Sequence, residues 1–357
     1  SVRRDMKKGV VFIIPRIGKG GAERVVVNIA NQMVKDGYPV SIFTIMSGEE
    51  NYKLDEGVDH IHLDVEDRNR LLRIIKRFFK LRSMVKRSSA GTVIAFDRYY
   101  GILSALFTGK RVIGSERNDP YSNMPIHSFQ KHIRDWLYRR VDYMVFQTEY
   151  AQNYFSNNIK KHSTIIPNPV SADMLPEPFT GIRDKRIVTA CRLTEQKNLP
   201  MMIDAFAAFN QVHTGYQLVI YGEGRLLESL KKYAAERGVG NQVCFPGYVD
   251  DLPEKIHPAA MYVSSSDYEG ISNSMLEAMA LGLPVVCTDC PAGGAAMVIH
   301  NGDNGYLVPV KQAEMMAQAM CRVVEDEEHT LAISRNAIEV RRTFSIQEIA
   351  KQWEKVL

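Results

Sequence analysis

Two carboxylates eight residues apart, Glu269 and Glu277, bracket the start of a predicted helix. The short apolar run at 261–264 predicts a strand just before them. The helix-forming run is preceded by three cap-type residues, Ser272, Asn273 and Ser274. The amino end of a helix presents unpaired N–H groups and the positive end of its dipole. Phosphate-binding amides between two carboxylates that accept hydrogen bonds from hydroxyls suit a sugar nucleotide.

Two cations, Arg192 and Lys197, lie five residues apart on the loop between a predicted strand and a helix that begins near Pro200. Arg binds phosphate oxygens through two parallel hydrogen bonds, and Lys adds a point charge. Together they can neutralise a departing diphosphate without a metal ion. The chain contains no Asp-x-Asp sequence, the usual short metal–diphosphate clamp. We therefore expect no metal and no other cofactor, and surface salt bridges are the alternative reading of the two cations.

Glycines mark three further loops that follow predicted strands. In the first, Gly20 and Gly21 allow a phosphate to approach the backbone at a helix start, although Glu23 takes the third glycine position of the dinucleotide fingerprint. A carboxylate there would repel a deeply seated pyrophosphate, and a plain strand-to-helix turn is the alternative. The later two loops contain Gly222, Gly224 and Tyr248.

The order of predicted strands and helices indicates an α/β protein of two domains. Near-continuous apolar strands alternate with helical patterns along the 357 residues, which is typical of parallel sheets covered on both faces. A proline-rich stretch at 167–178 interrupts the pattern, so we predict two Rossmann-like parallel-sheet domains facing across a cleft. The predicted ranges are 1–170 for the first domain, 171–340 for the second, and 341–357 for a C-terminal helix that packs back toward the first domain.

Charge is distributed unevenly between the two halves of the chain. Residues 1–170 contain 28 Lys and Arg against 17 Asp and Glu, whereas the remainder contains 17 against 24. This asymmetry predicts that the first domain meets a polyanion or an anionic membrane face. The five cysteines all lie in the second half, and we interpret them as reduced structural thiols of a cytoplasmic protein.

Segment 68–87 is predicted to form an amphipathic helix with a cationic face, because it contains nine basic residues and no acidic one. The apolar stripe expected to face the core consists of Leu71, Ile74, Ile75, Phe78, Leu81 and Val85. Leu72 and Phe79 fall among the cations instead, a pattern typical of helices at anionic lipid surfaces. Segment 131–140 repeats it. A solvated basic helix is the alternative, and no nucleic-acid partner is expected because neither segment lies in a recognisable binding fold.

These motifs occur in an order that resembles the retaining glycosyltransferases of family 4, which have the GT-B arrangement of two Rossmann-like domains. The motifs that carry the resemblance are Gly20–Gly21 with Glu23, Arg192 with Lys197 and Asn198, Gly222 with Gly224, Gly247 with Tyr248, Glu269 to Glu277, and Asn304 to Pro309. The likeness runs over essentially the whole chain and is strongest between Arg186 and Pro309.

The resemblance implies roles for individual residues. Glu269 would contact hydroxyls of the donor sugar, Glu277 would accept hydrogen bonds from the ribose, and Arg192 with Lys197 would stabilise the leaving diphosphate. Backbone amides would complete the phosphate cradle, at Gly20, Gly21, Gly270, Ile271, Ser272, Asn273 and Ser274. It also implies retained anomeric configuration, with a hexose or N-acetylhexosamine moving from a nucleotide-sugar, expected to be a UDP-sugar, to a glycan or lipid-linked saccharide.

One departure from the family lies in the first domain. Relatives have a histidine in a segment corresponding to 115–119, where this chain has Glu116 and Arg117. A role of that histidine cannot be transferred to an arginine, and Arg117 is instead a candidate ligand for a donor or acceptor phosphate. Asp97 and Arg98 also follow a predicted strand and are further acceptor-side candidates. Structural roles are the alternative for all four residues.

Two other functions remain possible from the sequence. A nucleotide-sugar 2-epimerase also has two Rossmann-like domains, but it would be expected to show carboxylates and histidines where this chain has Arg117. A binding module without catalysis is disfavoured by the intact Glu269, Glu277, Arg192 and Lys197. We expect a cytoplasmic enzyme that binds peripherally to the inner face of the cell membrane.

Overall fold

The computed structural model describes residues 7–18, 20–46, 52–97, 99–117, 119–120 and 129–357. Contacts between Cα atoms divide the chain into two units. Unit 1 comprises Ser1–Pro169 and Ile346–Leu357, and unit 2 comprises Val170–Ser345. The chain therefore leaves unit 1 once and returns to it at Ile346, so residues 341–345 belong to unit 2.

Unit 1 is built around a parallel sheet. Its strands are β1 Val10–Ile14, β2 Val40–Thr44, β3 Val58–His62, β4 Thr92–Ala95, β5 Arg111–Glu116, β6 Tyr143–Phe146 and β7 Ser163–Ile165. Its helices are α1 Gly21–Lys35, α2 Arg70–Arg87, α3 Tyr100–Ala105, α4 Phe129–Tyr138, α5 Glu149–Asn153 and α6 Asn157–Lys160. The strand order is β3-β2-β1-β4-β5-β6-β7.

Unit 2 repeats this design with a sheet of order β10-β9-β8-β11-β12-β13. Its strands are β8 Arg186–Ala190, β9 Gln217–Tyr221, β10 Val243–Gly247, β11 Met261–Ser264, β12 Val285–Asp289 and β13 Tyr306–Pro309. Its helices are α7 Leu199–Val212, α8 Leu227–Glu236, α9 Leu252–Ile256, α10 Asn273–Ala280, α11 Gly294–Val298, α12 Ala313–Glu325, α13 Glu327–Ala337 and α14 Val340–Thr343. The last helix of the chain, α15 Ile346–Glu354, belongs to unit 1.

Both sheets have the doubly wound order in which the third strand along the chain lies at one edge. The first strand of each, β1 and β8, pairs in parallel with strands on both sides. All five residues of β1 are buried, as expected of a strand covered by helices on both faces. The chain reverses direction across the sheet between β1 and β4 and between β8 and β11, so the loops after these strands flank a topological switch point. The predicted pair of parallel-sheet α/β domains is confirmed.

Helix α15 completes the core of unit 1. Trp353 is 0% exposed and packs 5.9 Å from the ring of Phe96. Arg111, at the start of β5, donates a 2.9 Å hydrogen bond from Nε to the carbonyl of Val356. Because these contacts join the end of the chain to strands formed from its first third, unit 1 is discontinuous in sequence.

Helix α2 differs from its predicted burial. Only the carboxyl-terminal half of the expected stripe reaches the core, where Leu81 and Val85 are buried. In the amino-terminal half, Leu71, Ile74 and Ile75 are exposed together with the off-stripe residues Leu72 and Phe79. The prediction that Leu71, Ile74 and Ile75 face the core is therefore wrong. The later turns of α2 approach α3, where Arg82 donates hydrogen bonds to the carbonyls of Ser104 and Leu106.

Candidate functional site

The loops that follow β8 and β11 are joined to each other in unit 2. Asp267 donates from its backbone N–H to the carbonyl of Gln196 over 2.9 Å, and the side-chain amide of Gln196 donates to the carbonyl of Tyr268 over 2.9 Å. The Ser265 hydroxyl donates to the carbonyl of Lys197 over 2.8 Å. These loops flank the switch point, where ligands bind in a doubly wound sheet. The hydrogen bonds between the two loops therefore hold the walls of the expected binding position together.

Asn198 is the residue that turns the first of these loops into helix α7. It has a left-handed backbone (φ 40°), and its side-chain oxygen caps the helix at the N–H of Met201. Its side-chain nitrogen donates to Oδ1 of Asp267 over 2.8 Å. Asparagine tolerates the left-handed region better than most residues. One side chain therefore shapes the turn, starts α7 and holds the loop after β11.

Lys197 and Glu269 form an ion pair between the two loops, through Nζ and Oε2. Their side chains are 15% and 23% exposed, so the pair is partly shielded and yet open on one side. Arg192 is exposed, and its side chain makes no hydrogen bond or ion pair with any residue that the structure describes. Glu277 is half-buried in the second turn of α10. The structure thus brings Lys197 and Glu269 together, and it leaves Arg192 at the surface of the same loop.

The start of α10 is pinned to the strands beneath it. Ser272 is the cap residue and accepts a 3.3 Å hydrogen bond from the N–H of Met275. The Ser274 hydroxyl donates to the carbonyl of Ala190 at the end of β8, over 3.0 Å. Asn273 is the first residue of the helix, and Ile271 before it is buried. The amides of this segment therefore begin beside the loop that contains Arg192 and Lys197.

Gly294 lies against this same loop, and the sequence interpretation did not identify it. A Cβ atom there would overlap the carbonyl of Gly270. The N–H of Glu269 donates to the carbonyl of Pro291 over 2.9 Å. The segment 291–294 therefore supports the Glu269 loop from behind, and only a residue without a side chain fits. The consecutive glycines Gly293 and Gly294 after a strand were the available signal.

Gly222 and Gly224 lie against the loop after β8. Gly222 has φ 117° and donates to the carbonyl of Gly247 over 2.8 Å. Cβ atoms at the two positions would overlap the carbonyls of Cys191 and Leu193, respectively. These glycines therefore allow the β9 loop to support the backbone on either side of Arg192. Tyr248, which follows Gly247, is half exposed.

The glycine pair of unit 1 begins helix α1. Gly20 is the cap residue with an extended backbone, and Gly21 is the first helical residue. The Tyr52 hydroxyl donates to the carbonyl of Gly20 over 3.3 Å. The carboxylate of Glu23 folds back into the space that a Cβ on Gly20 would occupy. A side chain at position 20 would therefore have to displace the carboxylate of Glu23 from the start of α1.

The acceptor-side candidates of unit 1 have local partners. Oδ1 of Asp97 accepts hydrogen bonds from the N–H groups of Tyr99 and Gly101, over 3.1 and 3.0 Å, at the start of α3. Glu116 is 1% exposed and accepts a 2.8 Å hydrogen bond from the Tyr138 hydroxyl. Arg98 lies outside the described residues. Asp97 and Glu116 thus have identifiable structural contacts.

Arg117 lies against two aromatic rings that also contact each other. Its guanidinium carbon is 5.5 Å from the centroid of Phe96 and 5.4 Å from that of Trp353. Nε donates to Ser115 over 2.9 Å, Nη1 donates to the carbonyl of Ile166 over 2.8 Å, and Nη2 is buried without a partner among the described residues. Burial lowers the pKa of Arg117 to about 9, which Glu116 partly opposes. Arg117 therefore stays charged at neutral pH and connects β5 with α15.

The cysteines near the candidate site are not nucleophiles at neutral pH. Burial raises the pKa of Cys191 to about 11 and that of Cys290 to about 12. For each thiol, the charge of Lys197 lowers the pKa and that of Glu269 raises it. Because the thiolate is the reactive form, both thiols are in the unreactive form at neutral pH.

Comparisons with known proteins agree with this arrangement. The family model "Glycosyltransferase Family 4" matches residues 19–174, and the model "Glycosyl transferases group 1" matches residues 179–340. An uncharacterised glycosyltransferase of Haemophilus influenzae is 26% identical over 99% of this chain and 100% of that protein. A Campylobacter jejuni enzyme, N-acetylgalactosamine-N,N'-diacetylbacillosaminyl-diphospho-undecaprenol 4-alpha-N-acetylgalactosaminyltransferase, is 25% identical over 99% of this chain and 100% of its own.

Solved structures show the same fold. Anabaena HepE in complex with UDP superposes with a TM-score of 0.82 at 18% identity, over 97% of this chain and 98% of that one. TarM superposes with a TM-score of 0.81 at 14% identity, over 98% of both chains. The first of these family models covers most of unit 1, and the second covers most of unit 2. The fold of both units is that of the GT-B enzymes. The chain belongs to the family 4 glycosyltransferases with the GT-B fold.

Proposed function

We propose that this glycosyltransferase transfers a hexose or N-acetylhexosamine from a UDP-sugar to a lipid-linked saccharide or polysaccharide, with retention of configuration and without a metal ion. The observation that carries the proposal is the Lys197–Glu269 ion pair, held between the two switch-point loops of unit 2. Support for the donor comes from HepE, solved with UDP and with UDP-glucose. Support for the acceptor comes from the C. jejuni relatives, which are named for undecaprenyl-diphosphate saccharides.

The charges of the site suit the departure of a diphosphate. As the bond from the anomeric carbon to the phosphate oxygen breaks, negative charge grows on that oxygen. Lys197 is already positioned by Glu269, and Arg192 offers five N–H donors with no competing partner among the described residues. Preorganised cations at the place where charge develops lower the barrier without needing to reorganise. The departing phosphate oxygen can then accept the proton of the acceptor hydroxyl, which attacks from the same face.

The two glutamates take different positions in this proposal. Glu269, on the loop after β11 and beside Lys197, is placed to accept hydrogen bonds from hydroxyls of the sugar. Glu277, one helical turn into α10, is placed to accept from the ribose. The start of α10 supplies amides to the diphosphate between them. Neither carboxylate is required as an acid or a base.

The first experiment screens donors by thermal shift with UDP-, GDP- and ADP-sugars. We expect UDP-sugars to give the largest stabilisation.

Product made with a lipid-diphosphate-linked acceptor is then analysed by NMR, and we expect the anomeric configuration of the donor to be retained. Turnover should be unchanged by EDTA, because two side-chain cations neutralise the diphosphate. An inverted product, or loss of turnover that Mg²⁺ or Mn²⁺ restores, would contradict the mechanism.

Incubating the enzyme with the same donor and no acceptor distinguishes a glycosyltransferase from a 2-epimerase. In this control we expect only slow hydrolysis of the donor. Formation of its 2-epimer would replace the transferase assignment, whereas absence of any nucleotide binding would reject both.

We further propose that unit 1 binds an anionic membrane face through α2 and α4, so that the enzyme is cytoplasmic and peripheral. None of the described helices is long and apolar enough to cross a membrane.

On α2, Leu72 and Phe79 are 46% and 63% exposed. On α4, Phe129 and Trp136 are exposed, and Arg140 lies 4.0 Å over the ring of Trp136. Arg134 of that segment is buried and points inward. Exposed apolar side chains beside cations favour an interfacial position.

The membrane proposal is tested by the double variant Leu72→Ser/Phe79→Ser. Burying one such side chain contributes about 1.5–3 kcal/mol, and 1.4 kcal/mol corresponds to about tenfold in affinity. We therefore expect at least about a tenfold lower partition coefficient on vesicles of anionic phospholipid, measured by sedimentation at low salt.

The matched control is Val212→Ser/Leu331→Ser, which changes two exposed apolar residues of unit 2 and should sediment like the wild type. Arg82 is unsuitable for charge reversal because it donates hydrogen bonds to the carbonyls of Leu106 and Phe107. Equal sedimentation of the α2 variant and the wild type would remove the membrane proposal.

A further inference from the structure

Three side chains with metal-binding atoms meet at the ends of two helices in unit 2. A ring nitrogen of His213, Sγ of Cys321 and a carboxylate oxygen of Glu325 all lie within 4.8 Å of one another. Nε2 of His213 is 2.7 Å from Oε1 of Glu325. Within the described residues, no other such group of three or more His, Cys, Asp and Glu side chains occurs.

The fold positions all three side chains. Helices α7 and α12 pack against each other, and His213 follows the last residue of α7, with its N–H donating to the carbonyl of Phe209 over 2.9 Å. The imidazole also packs on the ring of Phe209, with 5.1 Å between centroids. Cys321 and Glu325 are four residues apart on α12, so they share one face of that helix. The donor atoms therefore come from packed, regular elements.

The cluster lies far from the candidate donor site in the topology of the sheet. Helices α7 and α12 begin after the carboxyl ends of β8 and β13 and run back, so His213 and Glu325 lie at the amino ends of the strands. The loops that contain Lys197 and Glu269 lie at the carboxyl ends. An ion bound at the cluster would thus have no direct contact with the transferred sugar.

We propose that His213, Cys321 and Glu325 bind a single Zn²⁺ ion, with water as the fourth ligand. Imidazole, thiolate and carboxylate are the ligands that Zn²⁺ takes in proteins, whereas Mg²⁺ prefers oxygen alone. The thiol releases one proton to solvent, and the neutral imidazole binds through Nε2 with its proton on Nδ1. One thiolate and one carboxylate then balance the two charges of the ion.

The donor atoms lie within 4.8 Å of one another, so ion binding requires shifts of about 1 Å or less between them. Zinc bonds of about 2.0–2.3 Å in a tetrahedron separate neighbouring ligand atoms by about 3.3–3.8 Å. The His213–Glu325 contact must therefore open slightly from 2.7 Å as the ion replaces that hydrogen bond. The side chains of His213 and Glu325 are 22% and 54% exposed, so an ion can enter from solvent. The bound ion would link α7 to α12, and Cys321 would differ in role from the other four cysteines.

The proposal is tested on the full chain, freed of metal with a chelator and titrated with Co²⁺ as a spectroscopic substitute for zinc. We expect one Co²⁺ per chain, a near-ultraviolet thiolate-to-cobalt charge-transfer band, visible bands of tetrahedral intensity, and loss of all bands when Zn²⁺ is added. Zn²⁺ alone should raise the melting temperature of the wild type.

Two variants and one control make the test specific. Cys321→Ser should abolish the charge-transfer band, and Glu325→Gln, at an exposed position, should weaken Co²⁺ binding at least about tenfold without affecting folding. Cys244→Ser, at another half-buried thiol of unit 2, should bind like the wild type. Sugar transfer should be the same in Glu325→Gln as in the wild type, so the result is independent of the proposed function. Failure of the wild type to bind Co²⁺ and Zn²⁺ stoichiometrically, or a charge-transfer band that survives in Cys321→Ser, would overturn the proposal.

Discussion

Lys197→Ala is expected to lower kcat for sugar transfer by about 10²–10³-fold, the usual consequence of removing one preorganised electrostatic contact to a developing oxyanion. Lys197 is held between the two switch-point loops by Glu269, and only Arg192 would remain near the leaving phosphate. Because the charge develops in the transition state, kcat should fall far more than the affinity for UDP-sugar. Initial rates over a range of donor concentrations separate the two parameters.

Glu269→Gln should lower turnover as strongly, since it removes both the proposed sugar contact and the group that positions Lys197. The matched control is Lys255→Ala, which removes another lysine of unit 2 that is paired with a carboxylate, Asp251, over 3.2 Å. The control should keep wild-type turnover, and all three variants should have the circular dichroism spectrum of the wild type. Near-normal turnover in Lys197→Ala or in Glu269→Gln would show that the site has been misassigned.

Trp353→Ala is expected to destabilise unit 1 by about 3–5 kcal/mol, the typical cost of truncating a buried tryptophan. The indole is fully buried and contacts Phe96, and it forms one of the two rings against which Arg117 lies. For a unit of this size the loss corresponds to a fall of about 6–20 °C in the melting temperature. Differential scanning calorimetry measures it directly.

The other tryptophan of the chain provides the control. Trp136, on α4, is 42% exposed, so Trp136→Ala should change the melting temperature of unit 1 little. The calorimetric transition of unit 2 should be the same in both variants, since α15 belongs to unit 1. Equal melting of Trp353→Ala and Trp136→Ala would contradict the placement of α15 in that core.

Much of the fold could be predicted from the sequence because buried parallel strands are read as continuous apolar runs. The run at 10–14 is buried along its whole length, and so is the run at 187–189. The candidate donor loops were found for a related reason: they follow such strands, and their polar residues have no place in a core. The contact between Lys197 and Glu269 was not predicted, because it depends on how two loops 72 residues apart meet.

The sequence was a poorer guide to the contacts and burial of side chains whose neighbours come from distant parts of the chain. Arg117 remains a candidate ligand for phosphate, and a charged residue just after a predicted strand gives no sign that it will also contact two aromatic rings. Periodicity predicted that Leu71 and Ile75 face the core, but it cannot tell which turns of a helix are covered by the rest of the fold. In both cases the deciding information lies in distant parts of the chain.

The division of unit 1 into two stretches of sequence has a consequence for the order of events during synthesis. Most of its sheet emerges from the ribosome early, yet Trp353 and the rest of α15 follow only after all of unit 2 has been made. Domains usually fold as units while the chain grows, the amino-terminal one first. Here the first domain to be translated is the last to complete its core. Until α15 is made, Phe96 and Arg117 lack their contact with Trp353, whereas unit 2 already has all of its strands and helices.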